Sequence, residues 1–188
     1  MSGTDDWQGM DDESWLLLVE DSSHDRELTL HALRRGRFAG RIETARDGVE
    51  ALDLLAGRGS WAGRDPADLP SAILLDIKMP MLGGIEVLRE LKRDDLWRDI
   101  PVVMLTSSAE DRDLATCYAL GANSYIVKPV EIDKFFQAVL DIGRYWLVLN
   151  RPPREARHGI DAGAGQHRSA DRATGRAAGE PGVAPADR

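Results

Sequence analysis

Five side chains suited to chemistry each follow a short apolar run. Glu20 and Asp21 come after Trp15-Leu-Leu-Leu-Val19, and Asp76 after Ala72-Ile-Leu-Leu75. Thr106 comes after Pro101-Val-Val-Met-Leu105, and Lys128 after Ser124-Tyr-Ile-Val127. Three carboxylates brought to one place repel one another and raise each other's pKa. A hard divalent cation relieves that conflict, and Mg2+ takes oxygen ligands in near-octahedral geometry while keeping several waters. A metal, a hydroxyl and an ammonium around one carboxylate make a setting for phosphoryl transfer. In it an Asp can act as nucleophile and form an aspartyl-phosphate. Thr106, Lys128 and the cation neutralise charge on the equatorial oxygens.

This chemistry requires the apolar runs to be neighbouring strands that end on one edge. The pattern predicts that. Continuous apolar runs suit strands buried on both faces of a parallel sheet. Arg41-Ile42-Glu43-Thr44-Ala45 alternates and reads as an edge strand. Between the strands lie helical segments: 24–35, capped by Ser22 or Ser23; 49–56, capped by Asp47; 85–93; 110–120; and 132 to about 149. Gly36, Gly57 and Gly121 stop three of them. Leu28, Leu30, Ala32 and Leu33 are expected to face the sheet. Strict alternation of five strands and five helices predicts an α/β fold with helices on both faces. Right-handed crossovers favour the flavodoxin-like order 2-1-3-4-5. Sites in such sheets lie outside the carboxyl ends of the strands at the topological switch point. Here that point falls between the strands ending in Glu20-Asp21 and Asp76.

The chain has 188 residues and a formal net charge of −8. The charge is unevenly spread. Residues 1–150 hold 27 acids against 17 bases, and residues 151–188 hold 5 against 7. So acidic a main body argues against nucleic-acid binding, which rests largely on Lys and Arg. The single cysteine, Cys117, excludes an intramolecular disulfide and a Cys-built zinc site. No apolar run approaches the ~20 residues of a membrane span. The acidic stretch from Met1 to Glu13 lacks the basic start and apolar core of a signal peptide. A cytoplasmic protein without membrane association is expected.

Three parts follow: an acidic arm over 1–14, read as mobile; a domain over 15–150; and a tail over 151–188. The tail has six Gly, nine Ala and four Pro, with Ile160 and Val183 its only large aliphatics. It buries too little apolar surface to offset its ordering entropy, so a disordered tail without an output domain is expected.

The chain from about Trp15 to Leu149 resembles a response-regulator receiver domain. The matching motifs are Val19-Glu20-Asp21; Leu75-Asp76-Ile-Lys-Met79-Pro80 with Gly84 eight residues after the Asp; Leu105-Thr106-Ser107; and Lys128-Pro129. The resemblance implies that Asp76 is the phosphoacceptor and that Glu20, Asp21 and the backbone carbonyl of Lys78 hold Mg2+ with it. It implies that Thr106 and Lys128 bind the phosphoryl group and that Tyr125 is the aromatic switch residue coupled to Thr106. It also implies a histidine kinase as donor. The domain would be a signalling module whose only catalysis is its own phosphorylation and dephosphorylation. Many receivers carry Asp-Gly where this chain has Gly83-Gly84, which loosens the loop without removing a ligand. The ending Tyr145-Trp-Leu-Val-Leu-Asn150, then Arg151-Pro152-Pro153, is similar to that of small single-domain regulators paired with phytochrome-type kinases, as is Gly121-Ala-Asn-Ser-Tyr125.

The alternative is an enzyme of the haloacid-dehalogenase type, which also uses an Asp nucleophile and magnesium. That chemistry needs a second Asp two residues after the nucleophile, and position 78 is Lys. Singly, each strand-end acid reads as a cap or a surface charge; the complete set in order does not. His24 and His31 read as surface residues and Cys117 as a small apolar group. The last helix outruns a sheet about 20 Å wide. Tyr145, Trp146, Leu147 and Leu149 are therefore expected to overhang it and to form a homodimer interface. Trp7 is a candidate to cross to the partner copy.

Overall fold

The apolar runs form a five-stranded parallel sheet. The strands are β1 (Trp15–Val19), β2 (Arg41–Ala45), β3 (Ala72–Leu75), β4 (Val102–Thr106) and β5 (Ser124–Val127). Their order is β2-β1-β3-β4-β5, the expected flavodoxin-like topology. The computed structural model describes residues 7, 9, 10, 14–107 and 109–150. The expected tail, 151–188, and most of the expected arm, 1–14, lie outside the described residues.

Alternation along the central strands decides what covers each face. Leu17 and Val19 of β1, Ile73 and Leu75 of β3, and Val102 and Met104 of β4 point to one side. There they pack against α2 (Gly48–Leu55), α3 (Gly84–Arg93) and α4 (Asp111–Ala119). Leu16, Leu18, Leu74, Val103 and Leu105 point to the other side, against α1 (Ser23–Arg35) and α5 (Ile132–Arg144). In α1, Ala32 and Leu33 are fully buried, and Leu28 and Leu30 are half-buried against the same cluster. β1, β3 and β4 are buried throughout, as strands covered on both faces must be. Full burial of one such side chain stabilises by roughly 1.5–3 kcal/mol.

Local chemistry sets the ends. Ser22 Oγ accepts the Asp25 N–H at 3.2 Å and caps α1; Asp47 Oδ1 accepts the Glu50 N–H at 2.8 Å and caps α2. Pro101 has no N–H to give the ladder, so β4 begins at Val102, one residue later than expected, and ends at Thr106.

The last helix departs from expectation. Regular α geometry ends at Arg144, and Tyr145–Leu149 form a π-helical turn closed by the Asn150 N–H on the Tyr145 carbonyl at 2.7 Å. Leu147 is only 6% exposed, so it is not an overhanging interface residue. It joins the cluster beneath α1 and α5, with Trp146 half-buried against the same cluster. Trp7, Met10 and Phe38 pack against the same cluster. Trp7 lies on its own chain, its ring edge-on to Phe38 at 4.9 Å and its Nε1–H donating to the Gly36 carbonyl. Tyr145 and Leu149 do remain outside, at 51% and 59% exposed.

Candidate functional site

The strand ends deliver the expected residues to one edge because the ladders run one residue past the strands. The Asp76 N–H donates to the Val19 carbonyl at 3.0 Å, and the Lys128 N–H donates to the Thr106 carbonyl at 2.7 Å. Glu20 is tied to β2 through its N–H on Ala45 at 2.9 Å. These backbone hydrogen bonds hold Glu20, Asp76 and Lys128 at the ends of neighbouring strands, beside Thr106, the last residue of β4.

Gly84 brings α3 close to the Asp76 backbone. Its N–H donates to the Ile77 carbonyl at 2.9 Å, and a Cβ there would stand 2.0 Å from the Asp76 carbonyl oxygen. Glycine is needed for that approach, which accounts for the spacing of eight after Asp76.

Asp76 is 6% exposed. Its Oδ1 accepts the Ile77 N–H at 2.6 Å, and its Oδ2 accepts from Lys128 Nζ at 3.2 Å. Lys128 Nζ also donates to Glu20 Oε2 at 2.6 Å and Asp25 Oδ2 at 2.8 Å. Thr106 is fully buried at the end of β4. Tyr125 sits in β5, in register with Met104, and is half-buried against the α2–α3–α4 face. Asp21 is exposed at the mouth.

One carboxylate oxygen from each of Glu20, Asp21 and Asp76 lies within 4.8 Å of the others. Ligands of a single octahedral Mg2+, each ~2.1 Å from it, stand ~3–4 Å apart, so small side-chain adjustments close the set. The charge balance also fits a cation. Burial pushes the Glu20 carboxyl up to about 7 even though the Lys128 ammonium touches it. Burial opposes the charge on Lys128 too, but hydrogen bonds to Asp25 and Glu20 and the field of Asp76 outweigh it and raise its pKa. A single ammonium thus faces three carboxylates, with a fourth, Asp21, beside them. The donors are all hard oxygens, the kind Mg2+ prefers.

Asp25 was not anticipated. It lies 103 residues from Lys128, in the first turn of α1. The one available signal was its place four residues after Asp21, which puts it on the same edge once α1 starts at Ser23. The Lys78 ammonium pairs with Glu110 Oε1 at 3.4 Å. No acid occupies position 78, so the general acid/base of a haloacid-dehalogenase is missing there.

Beside Lys128 a groove of about 310 Å3 opens between the start of α1 and the β5–α5 loop, lined by Asp25, Leu28, Val130, Ile132 and Phe135 among others. Among the described residues no helix is long and apolar enough to cross a membrane.

Comparison with known proteins agrees with this geometry. The chain is 43% identical over 141 residues to the probable methanogenesis regulatory protein FilR2 of Methanothrix harundinacea, covering 75% of this chain and 88% of FilR2. It is 34% identical over 132 residues to the response regulator Rcp1 of Synechocystis sp., covering 70% of this chain and 88% of Rcp1. The manganese-bound crystal structure of Rcp1 superposes with a TM-score of 0.68, covering 74% of this chain and 99% of that one. The bacteriophytochrome response regulator AtBRR is 48% identical, with a TM-score of 0.57, covering 73% of this chain and 98% of that one. The family model of the response regulator receiver domain matches residues 16–140, a span that holds every acid, the hydroxyl and the ammonium gathered at this edge. The chain therefore belongs to the response-regulator receiver family.

Proposed function

We propose that Asp76 accepts a phosphoryl group from a phosphohistidine of a histidine kinase, with Mg2+ held by Glu20, Asp21, Asp76 and the backbone carbonyl of Lys78. In this transfer the P–N bond to the donor imidazole breaks and an O–P bond to the Asp76 carboxylate forms. The imidazole leaves with the electron pair of the P–N bond and takes a proton from solvent. Mg2+, when bound there, would neutralise charge on the transferring oxygens. Ile77 N–H fixes the carboxylate of Asp76, Lys128 supplies the ammonium for an equatorial oxygen, and the Thr106 hydroxyl binds another. The groove beside Lys128 is where the donor approaches. Water later hydrolyses the acyl phosphate without a dedicated enzyme.

One observation carries this reading. A nearly buried Asp76 has one oxygen on a backbone amide at 2.6 Å and the other facing Lys128 at 3.2 Å, with Glu20 and Asp21 within ligand reach. The test is incubation with acetyl phosphate or with beryllofluoride plus magnesium, for wild type and Asp76→Asn. Modification of wild type and none of the variant is expected. Equal modification of both rules Asp76 out.

The donor we infer is a bacteriophytochrome-type kinase, working with this protein in the cytoplasm. The likeness to AtBRR and the ending at Tyr145–Asn150 support it. Phosphotransfer from such a kinase, compared under its two light conditions, tests it. Occupation of the site is passed outward from Thr106 to Tyr125, and so to a homodimer surface centred on Tyr145 and Leu149, with Trp146 at its margin.

A further inference from the structure

Lys128 has three N–H bonds, and carboxylates fill all three: Glu20 at 2.6 Å, Asp25 at 2.8 Å and Asp76 at 3.2 Å. Two of these acids belong to the metal and phosphoryl site proposed above. Asp25 does not, since it lies outside the cluster of acids within reach of one ion. Nor does its side chain cap its own helix, a role that Ser22 Oγ takes. The backbone carbonyl of Asp25 accepts the Thr29 hydroxyl at 2.9 Å, a bond independent of its side chain. The carboxylate is thus left for Lys128. It is a third exposed, whereas the Lys128 side chain is 8% exposed.

A phosphoryl group on Asp76 needs one of the three Lys128 donors. Glu20 has a second commitment, to the metal. Asp25 has none and stays on the ammonium, where its charge partly cancels the attraction Lys128 offers to an incoming anion. We propose that Asp25 is a positioning residue that competes with the phosphoryl group for Lys128 and so lowers the site's affinity for it. The proposal rests on Asp76 being the phosphoacceptor.

Two constants measured on the full chain test it: the beryllofluoride dissociation constant at saturating magnesium, and the magnesium dissociation constant alone. Asp25→Asn keeps shape and one acceptor oxygen but removes the charge. Beryllofluoride is expected to bind about fivefold tighter and magnesium about twofold weaker, a modest effect because Asp25 is partly solvated. Opposite signs are the signature of charge, because loosening the architecture weakens both. Asp25→Glu restores the charge and is expected to bring both constants back toward wild type. Unchanged constants in Asp25→Asn, weakening of both, or a Glu variant that behaves like the Asn variant overturns the proposal. Asp76→Asn separates the two layers. If it binds beryllofluoride as wild type does, the phosphoacceptor reading itself has failed. If it alone loses binding while Asp25→Asn matches wild type, only the role of Asp25 has failed.

Discussion

Gly84, the first residue of α3, lies so close to Asp76 that a Cβ there would stand 2.0 Å from the Asp76 carbonyl oxygen and 2.9 Å from its carbonyl carbon. Both are backbone atoms in a buried segment and cannot swing aside. Gly84→Ala must therefore push α3 away from β3 or twist the peptide that carries Asp76. We expect a loss of about 1–3 kcal/mol in urea unfolding, the usual range for overpacking. Beryllofluoride binding at Asp76 should weaken as well. An alanine variant with wild-type stability and affinity would show that the helix start has room to move.

The strand ends were legible because parallel strands buried on both faces announce themselves as apolar runs, and the residue after each run must lie on one edge. Glu20, Asp76 and Thr106 are placed in this way without side-chain geometry, and Lys128 follows β5, an edge strand that is only half-buried yet still reads as a short apolar run. The same reasoning misses Asp25, whose meeting with Lys128 depends on where α1 begins and on a side-chain direction. It also misplaces Leu147. Helical spacing beyond the sheet left that residue in solvent, whereas it joins the cluster that Trp7, Met10 and Phe38 also pack against, and the π turn changes the phase. Segments distant in sequence supply that cluster, so no local pattern in α5 reveals it.

Trp7 and Gly143 are matched in shape. A Cβ on Gly143 would meet the indole edge at 2.9 Å and 3.3 Å. Trp7→Ala is expected to lower the unfolding free energy by about 2 kcal/mol, since the ring is half-buried. Gly143→Ala should destabilise wild type by displacing the ring. In the Trp7→Ala background the same change should be neutral or should stabilise by up to ~1 kcal/mol, through helix propensity. A double-mutant cycle in urea reads the coupling, and additive effects would show that the ring does not rest on Gly143 in solution.

Burial, with the charge of Asp113 adding to it, pushes the Cys117 thiol up to about 11. Its folded pKa exceeds the ordinary 9.0, so the folded state holds the proton more tightly than the unfolded state. The resulting stability is fully present below pH 9.0 and is lost as pH rises through about 11. Cys117→Ala should make the unfolding free energy fall less steeply across that window. Native protein should also react slowly with iodoacetamide at neutral pH and quickly in urea. Fast native alkylation would contradict the burial of Cys117, on the inner face of α4.

The π turn after α5 divides a buried residue from two exposed ones. Leu147, 6% exposed, belongs to the core, whereas Leu149 and Tyr145 are 59% and 51% exposed and belong to the surface. Tyr145 is held edge-on against Trp146 at 4.9 Å, which limits the rotamer entropy lost when it docks. Burying the exposed part of each is worth about 1–2 kcal/mol at roughly 25 cal/mol per Å2. A two-fold interface uses every residue twice. The gain therefore only narrowly offsets an association cost of about 4–15 kcal/mol, so a weak dimer is expected. Leu149→Ala removes an anchor from both copies and should raise the dimer dissociation constant about tenfold or more, with unfolding of the monomer unchanged. Leu147→Ala should instead cost about 2–5 kcal/mol of monomer stability. Sedimentation velocity with and without beryllofluoride reads the first effect, and urea unfolding reads the second. A wild-type chain that stays monomeric at tens of micromolar under both conditions would remove the dimer. A Leu149→Ala variant that dimerises as well as wild type would move the interface away from this turn.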